Sequence, residues 1–252
     1  MPGTPRQRAR EQTISDIVRI GREQLSQVGA AALSLRAVAR ELGVVSSAVY
    51  RYVGSRDELL TLLVVEAYNE LGEAVEQAVE AAADSDAGAR FRALCRAVRE
   101  WGLREPARYA LLFGSPVPGY QAPAERTTGP GIRVVVALVR LIDDAYRSGA
   151  LTLDPEGSGQ RPVRQEPPAR EPSAQHELAL PGPLHDDLAA IRREFGLAAP
   201  DALVARGTLV WTALFGAVNF EVFGQYGRET FTDPGLLFEH HLDVLAGILG
   251  LP

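Results

Sequence analysis

The chain of 252 residues is short of several things. It has one cysteine, Cys95, and no lysine at all. A lone Cys excludes an internal disulfide framework and any Cys-cluster metal site. Aromatic residues are few, at 7%. No segment alternates with the period of a β-strand, and no internal repeat is evident. The apolar, uncharged run from Gly207 to Phe220 is too short to span a bilayer. The opening MPGTPRQRAR lacks the apolar core of a secretory signal. These absences predict a cytoplasmic protein without a membrane partner. GxSxG, P-loop and Rossmann fingerprints are also missing, so no common enzyme motif is available.

Apolar residues make up 46%, enough to build a substantial core. Charge is divided unevenly. Residues 1–56 hold nine Arg against four acids, a net of +5, while the whole chain is at -6. A basic segment that meets an anion, attached to an acidic body, fits that division.

Helical period dominates. Thr4-Pro5-Arg6-Gln7 reads as a capping box with Pro at the first helical position, and Thr13 is a competing start. Ile14, Val18, Leu25 and Val28 then share a stripe that ends at Gly29. Ser34 caps a short helix with Leu35, Val38, Ala39 and Leu42 on one face. Gly43 turns the chain into a second short helix, about 46–53, with Val49 and Val53 inward. Ser55-Arg56-Asp57-Glu58 opens a long helix to about Glu80.

The acidic body continues the pattern. A helix over about 89–104 carries Phe91, Leu94, Cys95, Val98 and Trp101. Pro106 opens a short one, and Ser115 to Gly131 reads as a Pro/Gly-rich loop. A helix closed by Gly149 follows. Residues 154–183 are rich in Pro and poor in large apolar side chains, which predicts a flexible insertion. Asp201 is expected to cap a helix to about Gln225 whose middle, Leu209 to Phe223, is apolar nearly all round and so should be buried on most sides. Asp233-Pro234 opens the last helix, which has two apolar stripes, one for its own core and one for a partner.

Two short helices joined by a Gly turn behind a longer helix form a helix-turn-helix. The second short helix enters the major groove with small polar residues first and phosphate contacts later. Ser46 and Ser47 suit the first role. Tyr50, Arg51 and Tyr52 suit the second, and Ser34 heads a helix whose N–H groups can meet a phosphate.

Residues 13–63 resemble the DNA-binding domain of TetR-family transcriptional regulators. The resemblance rests on SLRAVARELGV (34–44), AVYRYV (48–53) and SRDELL (55–60). The chain departs from the family pattern at Val49 for Leu, Tyr52-Val53 for His-Phe and Arg56 for Lys. Ser47 stands where Gly is common. The resemblance implies that Val45, Ser46, Ser47 and Arg51 face bases and that Ser34, Arg36, Tyr50, Tyr52 and Arg56 contact phosphates. Structural alternatives stand beside these roles: Tyr50 as a core aromatic, Arg36 paired with Glu41, Arg51 as a solvated face, Ser55 as a helix cap.

The same resemblance implies an all-α fold. An N-terminal three-helix DNA-binding domain (1–56) precedes a larger helical domain for effector binding and dimerisation (57–252). It implies a non-enzymatic repressor that binds a palindromic double-stranded DNA operator as a homodimer and answers to a small-molecule effector. Helices 201–225 and 234–249 are expected to form the dimer interface. Trp101, Tyr109, Phe113, Trp211, Phe215, Asn219 and Phe223 are the candidate ligand-binding residues, and core packing is the alternative for each. No cofactor or metal is expected. His240 and His241 are adjacent on a helix and point about 100° apart, a poor arrangement for one site. An effector-independent regulator is the second reading, ahead of a dimeric scaffold or a helical enzyme.

Overall fold

The computed structural model describes residues 4–151, 181–227 and 229–252. Eleven α-helices are present among them, with no β-strand. Helix α1 (Pro5–Val28) starts at the Thr4 capping box, where Gln7 N–H reaches Thr4 Oγ1 and Thr4 N–H reaches Gln7 Oε1. The competing start at Thr13 is absorbed, since Thr13 donates to Ala9 O inside the helix. Val28, expected on the inner stripe, is 55% exposed. A 3-10 turn (Ala30–Ala32) leads into α2 (Leu35–Glu41), capped by Ser34.

Gly43 ends α2 in the left-handed region at φ 69°. Its N–H reaches Arg40 O, and Val44 N–H reaches Ala39 O. This pair of bonds closes a helix end and needs a residue without a Cβ penalty. α3 (Ser46–Tyr50) follows, shorter than the periodicity predicts. Then comes α4 (Arg56–Ala81), capped by Ser55, which accepts from Glu58 N–H.

The body comprises α5 (Ala87–Arg104), α6 (Pro106–Phe113), α7 (Ala124–Gly131), α8 (Arg133–Arg147), α9 (Gly182–Phe195), α10 (Asp201–Val222) and α11 (Pro234–Leu249). The sequence predicts a loop where α7 stands. Tertiary contacts decide otherwise: Arg126 pairs with Glu58 of α4 at 2.9 Å, and Thr127 is buried. That docking outweighs the poor helix propensity of Gly129 and Pro130. The predicted insertion falls outside the described residues up to residue 180, and α9 begins within its last two positions.

Two hydrophobic cores are stacked along α4. One joins α1–α3 to Leu59, Leu60 and Leu63. The other joins Ala67, Leu71 and Val75 to α5, α6, α8, α10 and α11. α4 is therefore a shared beam.

The expectation that α10 is buried on most sides is corrected. Only one face, with Leu203, Val210, Leu214, Phe215 and Val218, is buried. Leu209 is 55% exposed and Phe220 47%. Burying one stripe satisfies the core of this chain and leaves the other exposed among the described residues. Asp201 is also not the cap. It is the first helical residue after Pro200, and its buried carboxylate meets Arg192 at 3.0 Å and His185 at 2.5 Å. At 22 residues α10 is long and apolar enough to cross a membrane by length and composition alone. Here it packs against α5, α8, α9 and α11.

Ion pairs tie the body together. Arg99 forks onto Glu221 at 2.7 and 2.6 Å, and Arg96 onto Glu239 at 2.8 and 2.6 Å. These pairs fasten α5 to α10 and α11, and α11 turns its opposite side outward. Arg133 forks onto Glu76 at 2.9 and 2.6 Å. The Arg96 and Arg133 hydrogen bonds hold the Glu239 and Glu76 carboxyls below the usual range. Asp143 is raised by burial, but Arg147 and the Ala198 and Ala199 N–H groups outweigh that and lower it.

A carboxyl lowered in the folded state stabilises the fold above its unfolded pKa. That contribution is lost as pH falls through the folded value. Melting temperature is therefore expected to be level near neutrality and to drop below about pH 4. Thermal melts over a pH series check this, and a flat profile down to pH 3 would show that these pairs contribute nothing.

Candidate functional site

The helix-turn-helix presents one polar face. In α3 only Val49 is buried; Ser47 and Tyr50 are exposed, and Ser46 is half-buried. Val45, ahead of the helix, is 70% exposed, and Arg51 after it is exposed. Arg36 on α2 is exposed as well. The core alternative for Tyr50 does not hold, since its ring is 44% exposed. Tyr52 is half-buried against the module core. Ser34 Oγ accepts from Ala37 N–H, and Ser55 is a helix cap.

Arg56 has a second engagement. Its Nη2 donates to Ala30 O at 2.8 Å and Ala31 O at 3.1 Å. It thus ties the start of α4 to the 3-10 turn that follows α1, where Ala30 O also accepts from Leu33 N–H. The sequence has no local signal for this staple, because its partners lie 25 and 26 positions away.

Behind the module lies a cleft of about 760 Å³ between α1, α6 and α10. Leu25 and Gly29–Ala31 form one wall, Ala110, Phe113 and the turn after α6 a second, and Asn219, Phe220 and Phe223 a third. Three of the seven candidate ligand residues, Phe113, Asn219 and Phe223, meet here. Asn219 Oδ1 is buried with no hydrogen-bond partner. A buried unpaired acceptor is costly, and a bound donor would relieve it.

The other four candidates lie elsewhere. Trp101 and Tyr109 are fully buried core residues. Trp211 lines a separate apolar cavity beneath α9. Phe215 is buried between, its ring 4.7 Å from Phe113 and 4.2 Å from Trp211.

A charge cluster that sequence reasoning missed links the module to the body. Arg108 of α6 is 2% exposed and reaches Glu70 at 2.6 Å, Glu66 at 3.7 Å and Glu105 at 3.5 Å. Arg22 of α1 reaches the same Glu66 and Glu70 at 3.9 and 3.8 Å. The Trp101 indole N–H donates to Glu70, and Arg108 lies over the Trp101 ring. Burial raises the Glu70 carboxyl, but the Arg108 and Trp101 bonds and Arg22 prevail and hold it below the usual range. Cys95 is fully buried and its thiol is pushed up by burial, so it is no nucleophile.

A tri-helical module with a short exposed second helix, joined through one long helix to an α-helical body, is the architecture of a helix-turn-helix DNA-binding regulator. Comparison with known proteins narrows the class. Residues 17–63 match the model of bacterial regulatory proteins of the tetR family, and residues 91–245 match the tetracyclin repressor-like C-terminal domain. The chain belongs to the TetR family of transcriptional regulators.

It is 43% identical over 244 residues to the HTH-type transcriptional regulator Rv1816 of Mycobacterium tuberculosis, covering 97% of this chain and 95% of that one. The crystal structure of SCO4313, described as a regulatory protein, superposes with a TM-score of 0.72 at 31% identity, over 97% of this chain and all of that one. PfmR of Thermus thermophilus, a TetR family transcriptional regulator, shares the fold at 14% identity and a TM-score of 0.52, over 91% of this chain and 96% of that one.

Proposed function

We propose that this regulator binds a palindromic operator as a homodimer, represses transcription in the cytoplasm, and is released by a small molecule in the cleft against α1. The observation that carries this reading is the unpartnered apolar face of α10 and α11. Leu209, Phe220, Leu236 and Val244 stand in solvent on helices whose other faces are core. Exposed apolar surface of this extent marks an interface. A two-fold axis there pairs the two recognition helices, so the operator repeats the symmetry.

We further propose a division into a DNA-binding domain (1–56) and an effector and dimerisation domain (57–252). The base-facing set is Val45, Ser46, Ser47 and Arg51. The phosphate set is Ser34, Arg36, Tyr50 and Tyr52, with Arg56 serving mainly as the staple to the 3-10 turn after α1. Cleft occupancy acts on Gly29–Ala31, where Arg56 holds Ala30 and Ala31 to α4. A coupling of about 1–3 kcal/mol changes operator occupancy five- to 150-fold.

Selection from random DNA across a salt series tests the reading. One palindrome is expected, bound less tightly as salt rises. Recovery of no sequence would overturn it. A palindrome that no compound releases would favour the effector-independent regulator.

Val244→Glu is expected to turn the dimer into a monomer, because it buries two unpaired carboxylates across the axis. Sedimentation equilibrium at micromolar concentration reads this. A dimer that persists would place the interface elsewhere.

A further inference from the structure

The cavity beneath α9 is distinct from the cleft. It holds about 230 Å³ between α8, α9 and α10. Val139 and Ile142, Ile191 and Phe195, and Val204 and Trp211 are among its lining residues, two from each helix. Among the described residues, the polar side-chain groups on the lining are the Trp211 indole N–H and the Thr208 hydroxyl. That hydroxyl already donates to Val204 O at 3.1 Å.

The cavity is framed so that it stays open. The turn between α9 and α10 is pinned to α8, with Ala198 and Ala199 N–H each 2.8 Å from Asp143 Oδ1. Arg147 fixes Asp143 at 2.6 Å and donates to Gly196 O at 3.1 Å. At the start of α10, Asp201 holds both His185 and Arg192 of α9. At Gly207 α10 approaches α8 closely, since a Cβ there would lie 3.2 Å from Ile142 Cδ1. Ionic and backbone bonds thus surround an apolar hollow. A molecule that covers this apolar wall takes it out of water, which is favourable.

We propose that this cavity is a binding site for a small apolar molecule, a substituted benzene or a branched hydrocarbon. An apolar cavity of ~150 Å³ takes benzene, so this one admits a few more carbon atoms. It falls below the ~300 Å³ of pockets that hold drug-sized ligands. Trp211 and Phe195 offer ring faces, and no charged side chain lines the wall. The site needs neither DNA nor the cleft, so its test is independent of the operator reading.

p-Xylene is the probe, titrated into the full chain with methyl groups labelled for NMR. Saturable binding of one molecule per chain is expected, with shifts concentrated on Val139, Ile142, Ile191 and Val204. Val139→Phe and Val204→Phe, each filling the cavity from a different helix, are expected to weaken binding at least tenfold. No saturation up to the solubility of p-xylene would overturn the proposal. So would shifts centred on Leu25 and Leu111, or folded Phe variants that bind as the wild type does. Should either variant fail to fold, the wild-type methyl map decides.

Discussion

Tyr50→Ala is expected to weaken operator binding roughly 30- to 1000-fold while leaving the fold intact, taking about 1–2 kcal/mol per half-site in a dimer. The asymmetry follows from placement. Tyr50 ends α3, is 44% exposed and contributes little to the module core, which rests on Val49 and Val53. Substitution of so exposed a side chain changes stability by about 0.5 kcal/mol or less. Its loss on DNA is that of a hydroxyl and a ring at the groove rim. Fluorescence anisotropy with the selected operator reads the affinity, and a thermal melt reads the fold. Arg51→Gln gives the companion measurement, because a lost phosphate contact lowers the salt slope by about one whereas a lost base contact does not. A folded Tyr50→Ala protein with wild-type affinity would remove α3 from the interface.

Trp101→Ala carries the largest expected effect on stability, a loss of about 3–5 kcal/mol. The indole is fully buried in the body core. It donates to Glu70 at 3.2 Å and gives Arg108 a ring face 5.5 Å from its centroid. Truncation opens a cavity, removes a donor from Glu70 and strips one side from a buried guanidinium. At about 2–4 °C per kcal/mol, the melting temperature falls by roughly 6–20 °C. The same variant separates two roles that the sequence leaves open. A wall of a ligand pocket would leave melting nearly unchanged and abolish effector binding, whereas a core residue does the reverse.

The DNA-binding module was legible because its signals are local. Ser34 and Ser55 cap helices within three residues of themselves, and Gly43 acts on the two residues beside it. A stripe such as Leu35, Val38 and Ala39 is visible in a window of five. The exposure of the candidate residues in and around α3 was legible for the same reason, since they are consecutive or nearly so. Arg56 shows where locality ends. Its spacing matches the family's Lys, but the carbonyls it serves belong to a turn 25 positions earlier. α7 shows the reverse error, where Gly129 and Pro130 argue for a loop and docking on α4 prevails.

Amino-acid order alone determined the helical class, the division of charge between a basic N-terminal segment and an acidic remainder, and the short helices joined at Gly43. Capping and periodicity act within a few residues and need no knowledge of the rest of the chain. Tertiary structure alone decided that Trp101 and Tyr109 are core, that Phe113, Asn219 and Phe223 share a cleft, and that Trp211 belongs to another cavity. It also decided which half of α10 is exposed. An apolar helix reads alike whether its second face meets the same chain or another, because burial depends on what packs against it and not on its own composition.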